Sequence, residues 1–238
     1  MRVKQSIITW LTAGTWKQIL VIISGLTALQ FLAYALASGG ATYALHQLPR
    51  ATRMPWLFAL AFVLLTFVLS RFGTEQGSRH SYTLRRLRVS EREIVRIQAL
   101  YNSLCYLLLW CAQILISYLL SKLYLAGSDS QTRSEQIHFL AYYRSAFLHS
   151  ILPLNAWLLW ARNLILCAAL GICSAAVPYI LRRGRTTIWI YLLTLATLLL
   201  FVRRLEEQSL QLFLLGISLA CAALAILQVR RQEVLDDY

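Results

Sequence analysis

Six long apolar stretches constrain the fold of this chain more than any other feature of its sequence. They cover about residues 19–38, 55–70, 98–126, 156–181, 187–202 and 208–228. An α-helix of roughly 20 apolar residues can cross the hydrocarbon core of a bilayer. With 58% hydrophobic and 14% charged residues, the chain also has too little polar surface to cover a water-facing globule. We therefore predict an all-α polytopic membrane protein, with six transmembrane helices in one domain over residues 1–238.

Positive charge is distributed unevenly between the predicted loops. The formal net charge is +13, and 15 of the 23 lysines and arginines lie before span one, between residues 71 and 98, in the 182–185 turn or after the last span. Loops rich in lysine and arginine remain in the cytoplasm. We therefore expect a multi-pass protein of the cell membrane with cytoplasmic N- and C-termini. Because these loops account for the basic balance, we expect no nucleic-acid partner.

The N-terminal segment, residues 1–13, is basic at its start and mostly apolar after that. Gly14 is expected to interrupt the helix, and Thr15 to cap the helix that follows. We predict an interfacial helix on the cytoplasmic face, with Trp10 at headgroup level. The alternative is that this segment is an extension of span one.

Residues 71–98, between spans two and three, form the longest strongly charged passage, with seven arginines and three acidic residues. Ser90 and Glu93 match a capping box, in which each side chain can bond the backbone N–H of the other. A helix is therefore predicted to begin at Glu91 and to continue to about residue 126. Its length of roughly 52 Å exceeds the ~30 Å core, so its first turns lie outside the hydrocarbon. A short basic helix capped by Ser81 is predicted before it.

The other long connection, residues 127–155, has apolar and aromatic residues at near-helical spacing in its second half, and Pro153 ends that pattern. This spacing predicts an amphipathic helix that rests on the outer leaflet or covers the end of the bundle. His138 and His149 are too far apart for a compact metal pair, so we interpret them as surface residues.

The chain shows no motif of a known catalytic constellation, and all ten acidic residues lie in predicted loops or the tail. We therefore expect a non-catalytic chain without a cofactor or metal site. The five cysteines lie inside apolar runs without a CxxC pair, as small buried hydrophobes do. Arg162, beside Asn163, is the one charge clearly within an apolar run, and it is interpreted as extending to the outer headgroups. The alternative is a bundle-facing position in which it meets an anionic substrate group or the Arg203–Glu207 turn. Asn102 and Gln113 are expected to face the bundle.

Residues 77–104, GSRHSYTLRRLRVSEREIVRIQALYNSL, resemble the loop between the second and third spans of type-2 ABC exporter permeases. These are six-span membrane subunits, common in Gram-positive bacteria, that work with a separately encoded ATPase. The cytoplasmic N-terminal segment, the long third helix and the short basic tail are similar as well. The resemblance implies a permease subunit that pairs with a second permease copy or homologue and with two ATPase subunits in the lipid bilayer.

The resemblance also implies roles for individual residues. A coupling helix between spans two and three would dock on the ATPase and pass its movement into the third span. The residues assigned to this coupling are Tyr82, Leu84, Arg85, Arg86, Leu87, Arg88, Glu91 and Arg92. The candidate residues of the substrate pathway are Asn102, Gln113, Arg162 and Asn163.

Two other functions remain open on the sequence. The first is a non-transporting membrane scaffold or sensor subunit, whose basic loop recruits a cytoplasmic partner or anionic lipid. The second is an intramembrane enzyme or ion-coupled carrier, which the absence of acidic residues inside the spans disfavours. The chemical class of a transported substrate does not follow from these residues.

Overall fold

A computed structural model describes residues 2–38, 44–72, 91–127, 135–154, 157–181, 188–202 and 208–236. Every regular element in these ranges is helical, and a short 3-10 turn over Leu45–Gln47 precedes the second helix. The α-helices are α1 (Arg2–Ser38), α2 (Leu48–Ala51), α3 (Met54–Arg71), α4 (Glu91–Ala126), α5 (Glu135–Arg144), α6 (Ala146–Ile151), α7 (Trp157–Leu181), α8 (Trp189–Val202) and α9 (Gln208–Asp236).

Five of these helices are long and apolar enough to cross a membrane. They are α1 over Ser6–Ala37, α3, α4, α7, and α9 over Ser209–Arg231. The predicted fifth span forms α8, which has 14 residues. At 1.5 Å per residue α8 is about 21 Å long, less than the ~30 Å of the hydrocarbon core. The described chain is therefore all-helical, with five candidate membrane-spanning helices.

The predicted bounds of three helices agree with the structure to within one residue. The span predicted at 55–70 is α3, Met54–Arg71, and the span predicted at 156–181 is α7, Trp157–Leu181. The long third helix is confirmed as α4, with 36 residues over Glu91–Ala126. At about 54 Å, α4 is longer than the ~30 Å core.

The predicted break at Gly14 is wrong, because α1 continues through it from Arg2 to Ser38. A glycine inside a helix costs only about 1 kcal/mol relative to alanine. Here its missing side chain also makes room, since a Cβ at Gly14 would overlap the ring of Phe72. Thr15 does not cap a helix; its hydroxyl donates to the Leu11 carbonyl one turn earlier, at 2.9 Å. The N-terminal segment is thus an extension of the first candidate span.

The start of α1, the end of α3 and the start of α4 meet at one end of the bundle. Ile7 and Leu11 of α1 pack with Ile94 of α4 in a small buried cluster. The rings of Trp10 and Phe72 lie beside this cluster, with centroids 4.8 Å apart. We call this the near end.

The other end, called the far end, is covered by α5 and α6. Phe147, Leu148 and Ile151 of α6 are buried in the main core, and Phe147 contacts Phe58 of α3 with ring centroids 6.3 Å apart. One amphipathic helix was predicted here, on the outer leaflet or over the end of the bundle; the structure has two helices, and the second packs into the end of the bundle. The second begins where the Ser145 hydroxyl accepts a hydrogen bond from the Leu148 N–H.

The helix α7 is central and pairs most closely with α4. In α7, 72% of the most apolar window is buried, against 17% in α1 and 28% in α9. The pair is antiparallel, because Asn102 meets Ser174 near one end and Trp110 meets Trp160 near the other. At Gly171 an added Cβ would lie only 2.6 Å from the backbone nitrogen of Ser103. Small residues at such a crossing allow membrane helices to approach closely.

This close approach predicts opposite effects for two glycine substitutions. Gly171→Ala should destabilise the protein by about 1–3 kcal/mol, because α4 and α7 must separate to accept the methyl group. Gly25→Ala is the matched control, since an added Cβ there meets nothing within 4 Å. It should stabilise α1 by up to about 1 kcal/mol. Melting temperatures in one detergent test this, and equal shifts for the two variants would contradict the proposed crossing.

Candidate functional site

Most residues assigned to coupling fall in a segment outside the described ranges. These are Tyr82, Leu84, Arg85, Arg86, Leu87 and Arg88, and the predicted helix cap Ser90 lies outside the described ranges as well. Glu91, Arg92 and Glu93 form the first turn of α4. Acidic side chains in a first turn interact favourably with the helix dipole. The contact between Ser90 and Glu93 stays a prediction.

The first three turns of α4 are attached to α1. Ile94 is buried between Ile7 and Leu11, and Ile97 packs against the same cluster. Further along α4, the Tyr101 hydroxyl shares a hydrogen bond of 2.7 Å with the Thr15 hydroxyl. A displacement of the first turn of α4 therefore meets resistance from α1 as well as from its own helix.

The four residues assigned to the substrate pathway do not form one site. Asn102 bonds with α7, Gln113 with α1, and the neighbours Arg162 and Asn163 with the segment that holds α6. The structure therefore brings together only Arg162 and Asn163.

The Asn102 group connects α4 with α7. The Asn102 Nδ2 donates to the Ser174 hydroxyl at 2.9 Å, and that hydroxyl donates to the Gly171 carbonyl at 3.0 Å. One turn further on, the Tyr106 hydroxyl donates to the Thr66 hydroxyl of α3 at 2.9 Å. These bonds satisfy polar groups inside the bundle, where leaving them without partners is costly.

The Gln113 group connects α4 with α1. The Gln30 Nε2 donates to the Gln113 Oε1 at 2.7 Å, and the Gln113 Nε2 donates back to the Gln30 Oε1 at 3.1 Å. Both side chains are fully buried. Since Thr15 meets Tyr101 and Gln30 meets Gln113, the helices α1 and α4 run parallel. The Gln113 Nε2 also donates to the Ser117 hydroxyl of its own helix at 3.1 Å, so the hydrogen-bond partners of the two amides among the described residues lie within the bundle.

Arg162 faces the bundle and does not extend outward as predicted; an anionic partner for it stays a prediction. Its side chain is only 3% exposed. The Nε and one Nη donate to the Asn163 Oδ1 at 3.2 and 3.0 Å, and the same Nη donates to the Ser150 hydroxyl at 3.2 Å. The Asn163 Nδ2 donates to the Ser150 carbonyl at 2.9 Å. These bonds hold the guanidinium against the α6 segment because both helices contribute to them.

His149 lies beside this group, and its interpretation as a surface residue is wrong. The side chain is half-buried, and its Nδ1 is buried without a hydrogen-bond partner. Burial, and then the positive charge of Arg162, lower the pKa of His149 below its ordinary value. His149 is therefore neutral over a wider pH range than a free histidine. The side chain of His138 lies outside the described residues.

Two tryptophans fix the segment that follows α6. The Trp110 indole of α4 donates to the Ile151 carbonyl at 3.2 Å, and the Trp160 indole of α7 donates to the Pro153 carbonyl at 2.7 Å. The two rings contact edge to face, with centroids 5.3 Å apart. The Arg162 group thus lies beside a backbone segment that α4 and α7 both hold.

Sequence reasoning missed the partners of the polar residues. Gln30 is the only amide inside the first span, LTALQFLAYA, and an amide in an apolar run is a signal of an interhelical hydrogen bond. Ser150 and Ser174 carry no such signal, because serine is also common where it bonds its own helix. Only the packing of the helices identifies them.

In the described ranges, no three histidine, cysteine, aspartate or glutamate residues lie close enough to hold a metal ion. Comparisons with protein-family models, curated proteins and solved structures found no match to this chain. The resemblance to exporter permeases therefore stays a prediction.

The amide pair predicts a non-additive effect of substitution. Gln30→Leu should destabilise the protein by about 1 kcal/mol, because the buried Gln113 Oε1 loses its donor. The double variant Gln30→Leu/Gln113→Leu should cost less than the sum of the single variants, with a coupling energy of about 0.6–1.7 kcal/mol. Chemical or thermal denaturation in detergent measures the cycle. Additive costs would show that the two amides do not interact.

Proposed function

We propose that this chain is the transmembrane permease subunit of an ABC exporter, driven by an ATPase on a separate chain. In this proposal the 81–96 cytoplasmic hairpin receives the motion of the ATPase and α4 carries it across the membrane. The observation that carries the proposal is the continuity of α4 over Glu91–Ala126, from the edge of the basic segment to the far end.

The length and attachments of α4 support this transmission. The helix is about 24 Å longer than the hydrocarbon core, so several turns are available outside the bilayer. Those turns pack against α1 through Ile94 and Ile97, and the Tyr101–Thr15 bond continues the attachment. Force applied at Glu91 would therefore move α1 and α4 together.

The proposal includes a six-span topology in the cell membrane, with N- and C-termini cytoplasmic. The near end would face the cytoplasm, since the basic residues of the 71–98 passage adjoin it. The sixth crossing would be made by α8 together with residues that flank it. A second permease copy or homologue and two ATPase subunits would complete the assembly, and the substrate pathway would pass between helices.

The pairing of the interior polar residues favours a second candidate, a non-transporting scaffold or sensor subunit. Asn102 and Gln113 bond other helices, so both stabilise the bundle without requiring a substrate. In that case the basic segment recruits a cytoplasmic partner, and no molecule crosses the bilayer.

The docking claim predicts loss of the partner on charge reversal. In a native host, affinity purification of the chain should recover an ABC ATPase. The variant Arg85→Glu/Arg86→Glu/Arg88→Glu should reduce that recovery at least about tenfold, because each exposed ion pair contributes up to 1 kcal/mol and like charges then repel. Quantitative mass spectrometry of the purified complex gives the measurement.

The matched control reverses three exposed arginines at the far end, Arg50, Arg53 and Arg144. Recovery of the ATPase should be unchanged in this variant. Equal recovery with both variants would contradict docking through the basic segment. ATP-dependent movement of a substrate into or out of proteoliposomes then distinguishes an exporter from a scaffold, which binds the partner without transport.

A further inference from the structure

Arg162 is a buried cation whose described partners are all neutral. Its hydrogen bonds go to the Asn163 amide oxygen and the Ser150 hydroxyl, and none of the acidic side chains in the described ranges forms an ion pair with it. Buried charges in proteins are normally paired with an opposite charge. In the apolar part of a membrane protein an arginine is costly and usually marks a functional site.

The geometry leaves part of the guanidinium available. Arginine carries five N–H donors on three nitrogens in a planar fork. Asn163 and Ser150 engage the Nε and one Nη, and the other Nη makes no hydrogen bond to a described residue. The guanidinium is thus oriented by the protein and still has donors for a ligand, the arrangement that suits carboxylates and phosphates.

A second group without a partner lies beside it. The buried Nδ1 of His149 has no hydrogen-bond partner among the described residues, and burial and then the charge of Arg162 lower the pKa of His149. In the tautomer protonated at Nδ1, this nitrogen is a donor. His149 follows Phe147 and Leu148, which are buried in the core, and its ring contacts Tyr143 edge to face with centroids 5.8 Å apart.

Two tryptophans hold the chain beside these groups. Trp110 and Trp160 bond the carbonyls of Ile151 and Pro153, on the segment that directly follows His149 and Ser150. The backbone that follows His149 and Ser150 is therefore held by hydrogen bonds from both α4 and α7.

We propose that Arg162, with Ser150 and His149, forms a binding site for an anionic oxygen group, a phosphate or carboxylate, at the far end of the bundle. The anion supplies the counter-charge that the described chain lacks. Its source is either the headgroup of an anionic lipid or a free anion from the aqueous side. The site does not depend on the proposed exporter function, because a scaffold would present the same residues.

The test measures the melting temperature of the purified full-length chain in three conditions. The first is nanodiscs of phosphatidylcholine alone, and the second is the same nanodiscs with added inorganic phosphate. The third is nanodiscs of phosphatidylcholine mixed equally with phosphatidylglycerol. Wild type should melt at a higher temperature with phosphatidylglycerol if lipid supplies the anion, or with phosphate if a free anion does. Native mass spectrometry with graded phosphatidylglycerol or phosphate gives the affinity. Arg162→Gln should weaken binding at least about tenfold, the effect of losing a charge-assisted hydrogen bond.

Arg144→Gln is the control, since Arg144 is exposed on α5 at the same end, and it should bind as wild type does. If Arg162→Gln does not fold, Arg162→Lys and Arg144→Lys replace the pair, and only the former should weaken binding. Equal affinity of wild type and the Arg162 variants for both anions would overturn the proposal. Anion binding that is seen only in the variant Glu206→Gln/Glu207→Gln would also overturn the proposal, because these two glutamates would then supply the counter-charge to Arg162 in the wild type.

Discussion

The close approach of α4 and α7 at Ser103 and Gly171 is the contact on which the rest of the structure depends. Helices inside a bilayer gain little from the hydrophobic effect when they associate, so packing and interhelical hydrogen bonds decide their arrangement. Where the two backbones meet, Asn102 reaches Ser174, and further along the pair Trp110 reaches Trp160. The two tryptophans then hold the segment after α6, which in turn places Ser150 against Arg162. The far-end site therefore follows from a contact near the other end of the same helix pair.

Polar residues in this bundle divide into two kinds. The amides of Gln30, Asn102 and Gln113 have partners on neighbouring helices, and each such bond contributes about 0.6 kcal/mol to association. Arg162 has only neutral partners in the described chain. The amides hold α1, α4 and α7 together, whereas the described chain offers Arg162 no counter-charge, and we propose that an anion supplies it. The two proposals thus concern different ends of the molecule, connected by α4.

How much the sequence could predict depends on which physical property decided each feature. The length of an apolar run decides where a span begins and ends, so the ends of α3 and α7 were predicted to within one residue. The polar residues of its first turns indicated that α4 is longer than the hydrocarbon core. Contacts between helices decide the remaining features, and the periodicity of the sequence does not predict those contacts. Gly14 was predicted to interrupt α1, but the ring of Phe72 occupies the space that its missing side chain leaves. Arg162 was predicted to extend outward, but Asn163 and Ser150 hold it inside. The coupling residues from Tyr82 to Arg88 lie outside the described ranges, and their roles stay predictions.

The central claim is that α4 is one rigid helix from Glu91 to its far end, and a distance across it tests this most directly. Spin labels at Arg92→Cys and Leu123→Cys, both exposed positions, would be measured by double electron–electron resonance in nanodiscs after the five native cysteines are replaced. Thirty-one helical steps predict backbone positions about 47 Å apart and a single narrow distribution. A broad or two-peaked distribution, or a distance shorter by more than about 10 Å, would show that α4 bends or breaks between its ends. In that case it could not carry motion from the basic segment across the membrane.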